Sequence, residues 1–323
     1  MGTTRTLVTG GAGFIGSHLV DALLARGDEV VVLDNLATGR VENVPEGAEF
    51  IEGDVADETA VAKAVAGCEV VFHEGALGSV ARSVEAPLVS DDSNIHGTLA
   101  VLQGAHLAGA RRVVLASSSS VYGGATQVPT PESAPLMPRS PYAVTKMTGE
   151  HYARVFWELH GLEAVCLRYF NVFGPRQRPD SQYAAVIPLF IDALLSGRTP
   201  QVHGDGLQSR DFTFIADTVQ ANLRASEAPA DQCAGRVFNI ARGEPSSLLD
   251  LLGILADQLG VSVTPEHVAS RAGDIRHSHA DVTAARRDLG YSPSVSFAEG
   301  LARTLAWFRD RYQAADPPQE VNR

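Results

Sequence analysis

Tyr142-Ala-Val-Thr-Lys146 sets a phenol and an ammonium four positions apart, so a helix would carry both on one face, about one turn apart. That pairing suits removal of a proton from a hydroxyl group. Oxidising a secondary alcohol needs a base for the hydroxyl proton as the hydride leaves. Free tyrosine, with a pKa of roughly 10, is too poor a base at neutral pH. A lysine ammonium beside it, together with a positively charged hydride acceptor, would favour tyrosinate. Tyr-x-x-x-Lys also occurs on solvated helix faces, so location has to decide. The apolar run 113–116 leads directly into Ser117-Ser-Ser-Ser120-Val-Tyr-Gly123. Hydroxyls at the end of a parallel strand lie where ligands of open α/β sheets bind.

A second constellation sits at the start of the chain. Arg5-Thr-Leu-Val-Thr9 reads as a strand, followed by Gly10-Gly-Ala-Gly13-Phe14-Ile15-Gly16 and a helical pattern. Glycines there permit a sharp turn and a close approach of backbone to phosphate, and the helix aims its free N–H groups at the anion. Val30-Val-Val-Leu33 ends in Asp34, eighteen positions after Gly16, and Asn35 follows. A carboxylate at that strand end binds both ribose hydroxyls and repels a 2′-phosphate, which favours NAD over NADP. Asp34 would equally cap a turn with Asn35. Gly53-Asp54-Val55 ends the next strand, where an adenine amino group would lie; Gly-Asp is also ordinary turn chemistry.

The elements that must hold these groups alternate. Strand-like runs at 5–9, 29–33, 49–52, 70–73, 112–116 and 164–168 are separated by helical patterns at 16–26, 57–65, 94–108 and 143–160. The expected fold class is therefore α/β, a doubly wound parallel Rossmann sheet with a second, smaller α/β substrate domain. We place the NAD-binding domain at 1–170 with a returning segment near 210–240. The substrate domain takes 171–209 and 241–313, and 314–323 is a polar tail. A further strand is expected at 237–240 and a helix at 247–259.

The 323 residues are 45% hydrophobic and 20% charged, an ordinary globular balance. A net charge of −12 gives a nucleic-acid partner no electrostatic support. Cys68, Cys166 and Cys233 are widely spaced and odd in number, without a zinc pattern or a disulfide framework. They read as small core residues in a reducing, cytoplasmic setting, and no metal is expected. No apolar run reaches the roughly 18 residues of a membrane span, so no membrane partner is expected.

Taken in order, these motifs resemble one family. The glycine loop, Asp34, Asn94 in Asn-Ile-His-Gly-Thr98, the serine run, Ser-Pro-Tyr142-Ala-Val-Thr-Lys146 and Arg168-Tyr-Phe-Asn171-Val-Phe-Gly174 are similar to those of the extended short-chain dehydrogenase/reductases. Within that group the chain resembles the NAD-dependent nucleotide-sugar epimerases and dehydratases. The resemblance runs from the first strand past Asp281.

It implies that Ser118 is the catalytic hydroxyl beside Tyr142 and Lys146. It implies that Asn94 and Tyr169 touch the cofactor, and that Ser119, Ser120 and Asn171 line the sugar pocket. Gly204-Asp-Gly-Leu-Gln-Ser-Arg210 resembles a diphosphate loop. Arg271-Ala-Gly-Asp274 resembles a segment whose arginine takes phosphate and whose acid takes the uridine ribose. Guanidinium–phosphate pairing gives the physical reason for those arginines, which would otherwise be surface ion-pair partners. Ser278 leaves room at the sugar wall for an N-acetyl group, and Tyr183-Ala-Ala-Val186-Ile-Pro188 resembles epimerases of N-acetylated sugars. The resemblance also implies a homodimer through the helices at 94–108 and 143–160.

The serine run bears on the reaction. Relatives that eliminate water carry an acid–acid pair where this chain has Ser119 and Ser120, and those that decarboxylate keep a glutamate at the second position. Elimination needs an acid for the leaving hydroxyl and a base for the C5 proton, and a serine is neither. The expectation is a UDP-sugar 4-epimerase that works through a transient 4-keto sugar. Gly174-Pro-Arg176-Gln-Arg178-Pro-Asp180 brings arginines beside the expected sugar end, and Arg178 would pair there with a C6 carboxylate or else with Asp180. On that basis UDP-glucuronate leads, ahead of UDP-N-acetylglucosamine and UDP-glucose; a dehydratase or decarboxylase is the alternative. One departure stands out: His73 is followed by Glu74-Gly75-Ala76, where the family usually has an apolar or amide residue and two alanines. A carboxylate near the cofactor is costly unless paired or solvated.

Overall fold

A computed structural model describes residues 3–124, 127–178, 185–270 and 275–315. Arg5–Thr9 (β1), Glu29–Asp34 (β2), Glu49–Glu52 (β3), Val70–His73 (β4), Arg112–Ser118 (β5), Glu163–Tyr169 (β6) and Val237–Ile240 (β7) form one sheet. Their order is β7-β6-β5-β4-β1-β2-β3, parallel throughout. The order reverses between β1 and β4, so the carboxyl ends of these two strands open a crevice where such sheets bind ligands.

Alternation along the strands builds two cores. Val8, Val30, Val32 and Phe72 face one side of the sheet, and Leu7, Val31, Leu33 and Val71 face the other. On the second side lie the helices Glu58–Val65 (α1), Gly97–Leu107 (α2) and Pro141–His160 (α3), through Val61, Leu102, Ala105, Ala153 and Phe156. On the first side, the core of Phe14–Arg26 runs on without a break into Ile215–Glu227 (α4), Leu248–Leu259 (α5) and Phe297–Ala315 (α6). Phe173, Phe212, Phe214 and Phe297 pack ring against ring at that junction.

Some elements differ from the sequence expectation. The 94–108 helix starts as a π-helical turn over Asp92–His96 before becoming regular. Helices at Val186–Leu195 and Phe297–Ala315 were not foreseen. The second carries Phe297, Leu301, Leu305 and Phe308 at spacings of four, four and three, a helical stripe visible in the sequence. The helix also runs into the expected tail, as far as Ala315. Among the described residues, no helix is long and apolar enough to cross a membrane. The three cysteines are buried and free.

Candidate active site

Ser140 and Pro141 start α3: the Ser140 side chain accepts from Ala143 N at 3.2 Å, and proline at the first helical position gives up an N–H that would have no helical partner. Tyr142 and Lys146 then emerge on one face of α3, as the spacing requires. The Tyr142 backbone N–H donates to Ser83 Oγ at 3.0 Å. Ser118, the last residue of β5, is close enough to the Tyr142 hydroxyl to favour its anion. The Lys146 ammonium donates to the Ala116 carbonyl at 2.9 Å and lies 5.9 Å from the Tyr142 ring centroid.

The protein's own groups hold the Tyr142 hydroxyl above its usual value: burial raises it most, Ser118 lowers it and Glu74 raises it. The expected downward pull from Lys146 is not seen. The ammonium is turned to Ala116, and burial brings Lys146 itself down to about 8. It remains a cation at neutral pH.

Tyr142 and Lys146 open onto a cavity of about 600 Å³ in the β1–β4 crevice. Gly10, Gly13, Phe14, Ile15, Gly16, Asp34, Asn35, Val55 and Tyr169 line it as well. Gly16 sits where a Cβ would come within 2.2 Å of the Gly10 carbonyl oxygen, so only glycine lets the first helix pack on the loop. Gly10 has φ of 69° and lies against Gly75. No side chain caps the helix that begins at Phe14, so its N–H groups remain for an anion. Asp34 holds the turn, accepting from Ala12 N at 3.0 Å and Leu36 N at 2.8 Å, and also lines the cavity. These residues fit NAD.

Several expected residues lie elsewhere. Asp54 accepts from Asn35 Nδ2 at 2.7 Å and Ala56 N at 2.9 Å, shaping the turn behind the wall that Gly53 and Val55 form. Asn94 is buried behind the cavity. It bonds Leu77 N at 2.8 Å and Thr145 Oγ1 at 3.1 Å, positioning the Glu74–Ser79 loop and α3. Arg178 lines the same cavity, and its Nη1 donates to the Thr38 carbonyl at 3.4 Å. Asn171 takes φ of 36° and donates to the Asp211 carbonyl at 3.3 Å.

Ser119 and Ser120 form the short turn after β5; Ser120 N donates to Ser118 Oγ at 3.1 Å, and Ser120 Oγ is buried without a partner. Arg210 and Ser278 are brought together, Ser278 N donating to the Ser209 carbonyl at 3.1 Å. Val186 begins the helix Val186–Leu195 and packs on the core. Arg271, Asp274, Asp180 and Tyr183 lie outside the described residues.

Two features escaped the sequence reading, and a third, Glu74, is flagged there without its partner. Trp307, Phe308, Arg311 and Tyr312 of α6 line the same cavity. His73 is buried between Thr9 Oγ1 at 2.8 Å and Thr98 Oγ1 at 2.9 Å. Glu74 stands on the cavity wall, and Tyr169 OH donates to its Oε1 at 2.6 Å. Its pairing, more than solvent, resolves the cost foreseen for that carboxyl.

The family model of NAD-dependent epimerases and dehydratases matches residues 6–241. UDP-glucose 4-epimerase of Mycolicibacterium smegmatis is 43% identical over 316 residues, spanning 96% of this chain and 100% of the relative. The crystal structure of Thermotoga maritima UDP-glucose 4-epimerase with UDP-glucose superposes with a TM-score of 0.92 at 38% identity, covering 96% and 100% of the two chains. UDP-N-acetylglucosamine 4-epimerase of Methanobrevibacter ruminantium, in complex with UDP-N-acetylmuramic acid, gives 0.92 at 39% over the same shares. The chain belongs to the NAD-dependent epimerase/dehydratase family. It is an NAD-dependent epimerase.

Proposed function

We propose that the chain is a UDP-sugar 4-epimerase in which Tyr142 is the proton carrier, Ser118 aligns the reacting oxygen and Lys146 supplies the neighbouring positive charge. The observation that carries this reading is Tyr142 and Lys146 on one cavity wall, with Ser118 ending the strand beside Tyr142; the resemblance puts Ser119 and Ser120 where elimination would need acids. Bound NAD supplies the hydride acceptor and donor, with positive ring charge in its oxidised form that favours tyrosinate. Tyr142 takes the 4-hydroxyl proton and, once C4 has been reduced from its opposite face, returns it to O4, so no net base is consumed.

For the substrate, UDP-glucose now leads. The case for UDP-glucuronate rested on Arg178 at the sugar end, and its guanidinium lies at Thr38. Relatives named for UDP-glucose and UDP-N-acetylglucosamine cover 96% of the chain, with TM-scores of 0.92 for the two structures against 0.86 for a neighbour bound to UDP-glucuronic acid. Product analysis with the three UDP-sugars tests the reading; a 4-keto-6-deoxy sugar or a pentose as product would sink it. Arg178→Ala should leave turnover of the neutral sugars within about twofold, the usual scale for an exposed side chain. A selective loss on UDP-glucuronate would reinstate the uronate. The reading includes the division at residue 170, a cytoplasmic setting and a homodimer.

A further inference from the structure

Glu74 has no part in the scheme above, yet it stands inside the cavity at the carboxyl end of β4. Its carboxyl accepts from Tyr169 OH at 2.6 Å, and that hydroxyl in turn accepts from Asn222 Nδ2 at 2.8 Å. Asn222 is buried on α4 and also donates to the Thr218 carbonyl at 3.0 Å. A relay from a buried helix therefore fixes the carboxyl on the wall it shares with Tyr142 and Lys146. We propose that Glu74 is a charge-setting residue for the proton carrier: its carboxylate opposes the positive charge that bound NAD would bring and keeps Tyr142 from being trapped as tyrosinate.

The proposal rests on the epimerase reading, because an epimerase uses its base twice. The proton taken from the 4-hydroxyl must go back on, so a tyrosine stabilised too strongly as the anion slows the return step. The oxidised cofactor's ring charge would favour the anion, and Glu74 opposes it. The ionisable groups around the carboxyl are Lys146 and Tyr142 from α3, Tyr169 from β6 and His73 from β4. His73 is held neutral by burial, at about 3. Tyr169 is pushed well up and stays a donor. Asp34, Arg40, Arg82, Arg176, Arg178 and Arg311 line the remaining walls. Burial pushes Glu74 up to about 7, against the pull of Tyr169 and Lys146.

The test is ultraviolet titration of tyrosinate in the NAD-bound enzyme, read as the difference from Tyr142→Phe, beside the pH profile of kcat/KM. Glu74→Gln keeps an acceptor for Tyr169 and removes the charge. The Tyr142 midpoint and the acid limb of activity should both move down, by on the order of one pH unit. Glu74→Asp should restore the wild-type midpoint. Tyr169→Phe weakens the carboxylate without deleting it and should move the midpoint the same way by less, which serves if Glu74→Gln does not fold. Wild-type titration in Glu74→Gln, or in Tyr169→Phe where the first variant fails to fold, overturns the proposal. The titration needs no turnover. An intact shift without epimerisation sinks the proposed function alone, and normal epimerisation without a shift sinks this assignment alone.

Discussion

Tyr142 carries the chemistry because of what surrounds its oxygen. Its hydroxyl lies close to Ser118, its backbone N–H is fixed by Ser83, and Lys146 lies one turn on. Burial holds it protonated in the protein alone, so the anion depends on charge brought by the cofactor. Tyr142→Phe removes one oxygen and leaves the cavity shape unchanged. Turnover should fall by roughly 10²- to 10⁴-fold, the usual worth of a positioned acid–base group, while bound NAD stays stoichiometric. Steady-state rates and the absorbance of released nucleotide check both halves. Near-normal turnover would remove Tyr142 from the role.

At the scale of elements, His73 fastens two strands and a helix. Thr98 Oγ1 donates to the Asn94 carbonyl at 2.6 Å, so the ring's Nε2–H must donate to Thr98 and its Nδ1 must accept from Thr9. Protonating Nδ1 would set two donors face to face. Burial accordingly takes His73 from 6.5 to about 3. The unfolded chain takes this proton first, so the contribution is complete above pH 6.5 and fades as pH falls toward 3, by about 1.4 kcal/mol per pH unit. Glu74, raised from 4.5 to about 7, acts in the opposite sense: its contribution is complete below 4.5 and is lost as pH rises through 7. The two neighbours offset each other between pH 4.5 and 6.5. In His73→Gln the opposing slope disappears, and denaturant midpoints should rise as pH falls from 6.5 to 4.5, where the wild type's stay level. A variant whose midpoints stay as level as the wild type's across that range would refute the assignment.

None of this was legible beforehand, because a histidine inside a strand gives no sign of its partners. The strands were legible, because β-branched runs alternate with amphipathic stretches. So were the glycine loop, Asp34 and the Tyr142–Lys146 face, because each is fixed by local geometry. Arg178 and Asn94 were placed by motif position, and side-chain direction in a loop depends on the residues it folds against. Arg168 makes the same point: its bidentate pair with Glu150, at 2.8 and 2.7 Å, ties β6 to α3 across a long sequence gap.

At the scale of the whole molecule, one face stays apolar after the core is filled. Helices α2 and α3 lie side by side, with the His106 and His160 rings 4.4 Å apart. Leu107 is 74% exposed and Leu159 72%, and Val144 and Val155 are also exposed along α3. Covering a leucine contributes about 2 kcal/mol, so two such residues from each of two chains suffice to hold a symmetric pair. The net charge of −12 on each chain works against pairing at long range. Added salt shortens that repulsion to about 10 Å at 0.1 M and leaves apolar contact intact, so association should tighten as ionic strength rises. Light scattering across a dilution series should therefore give a dimer that dissociates more readily in low salt. Leu159→Glu should be monomeric at every salt concentration, with its bound NAD retained, because the cavity lies at the other edge of α3. A wild-type chain that is monomeric throughout, or a Leu159→Glu dimer as tight as the wild type, would move the interface off this face.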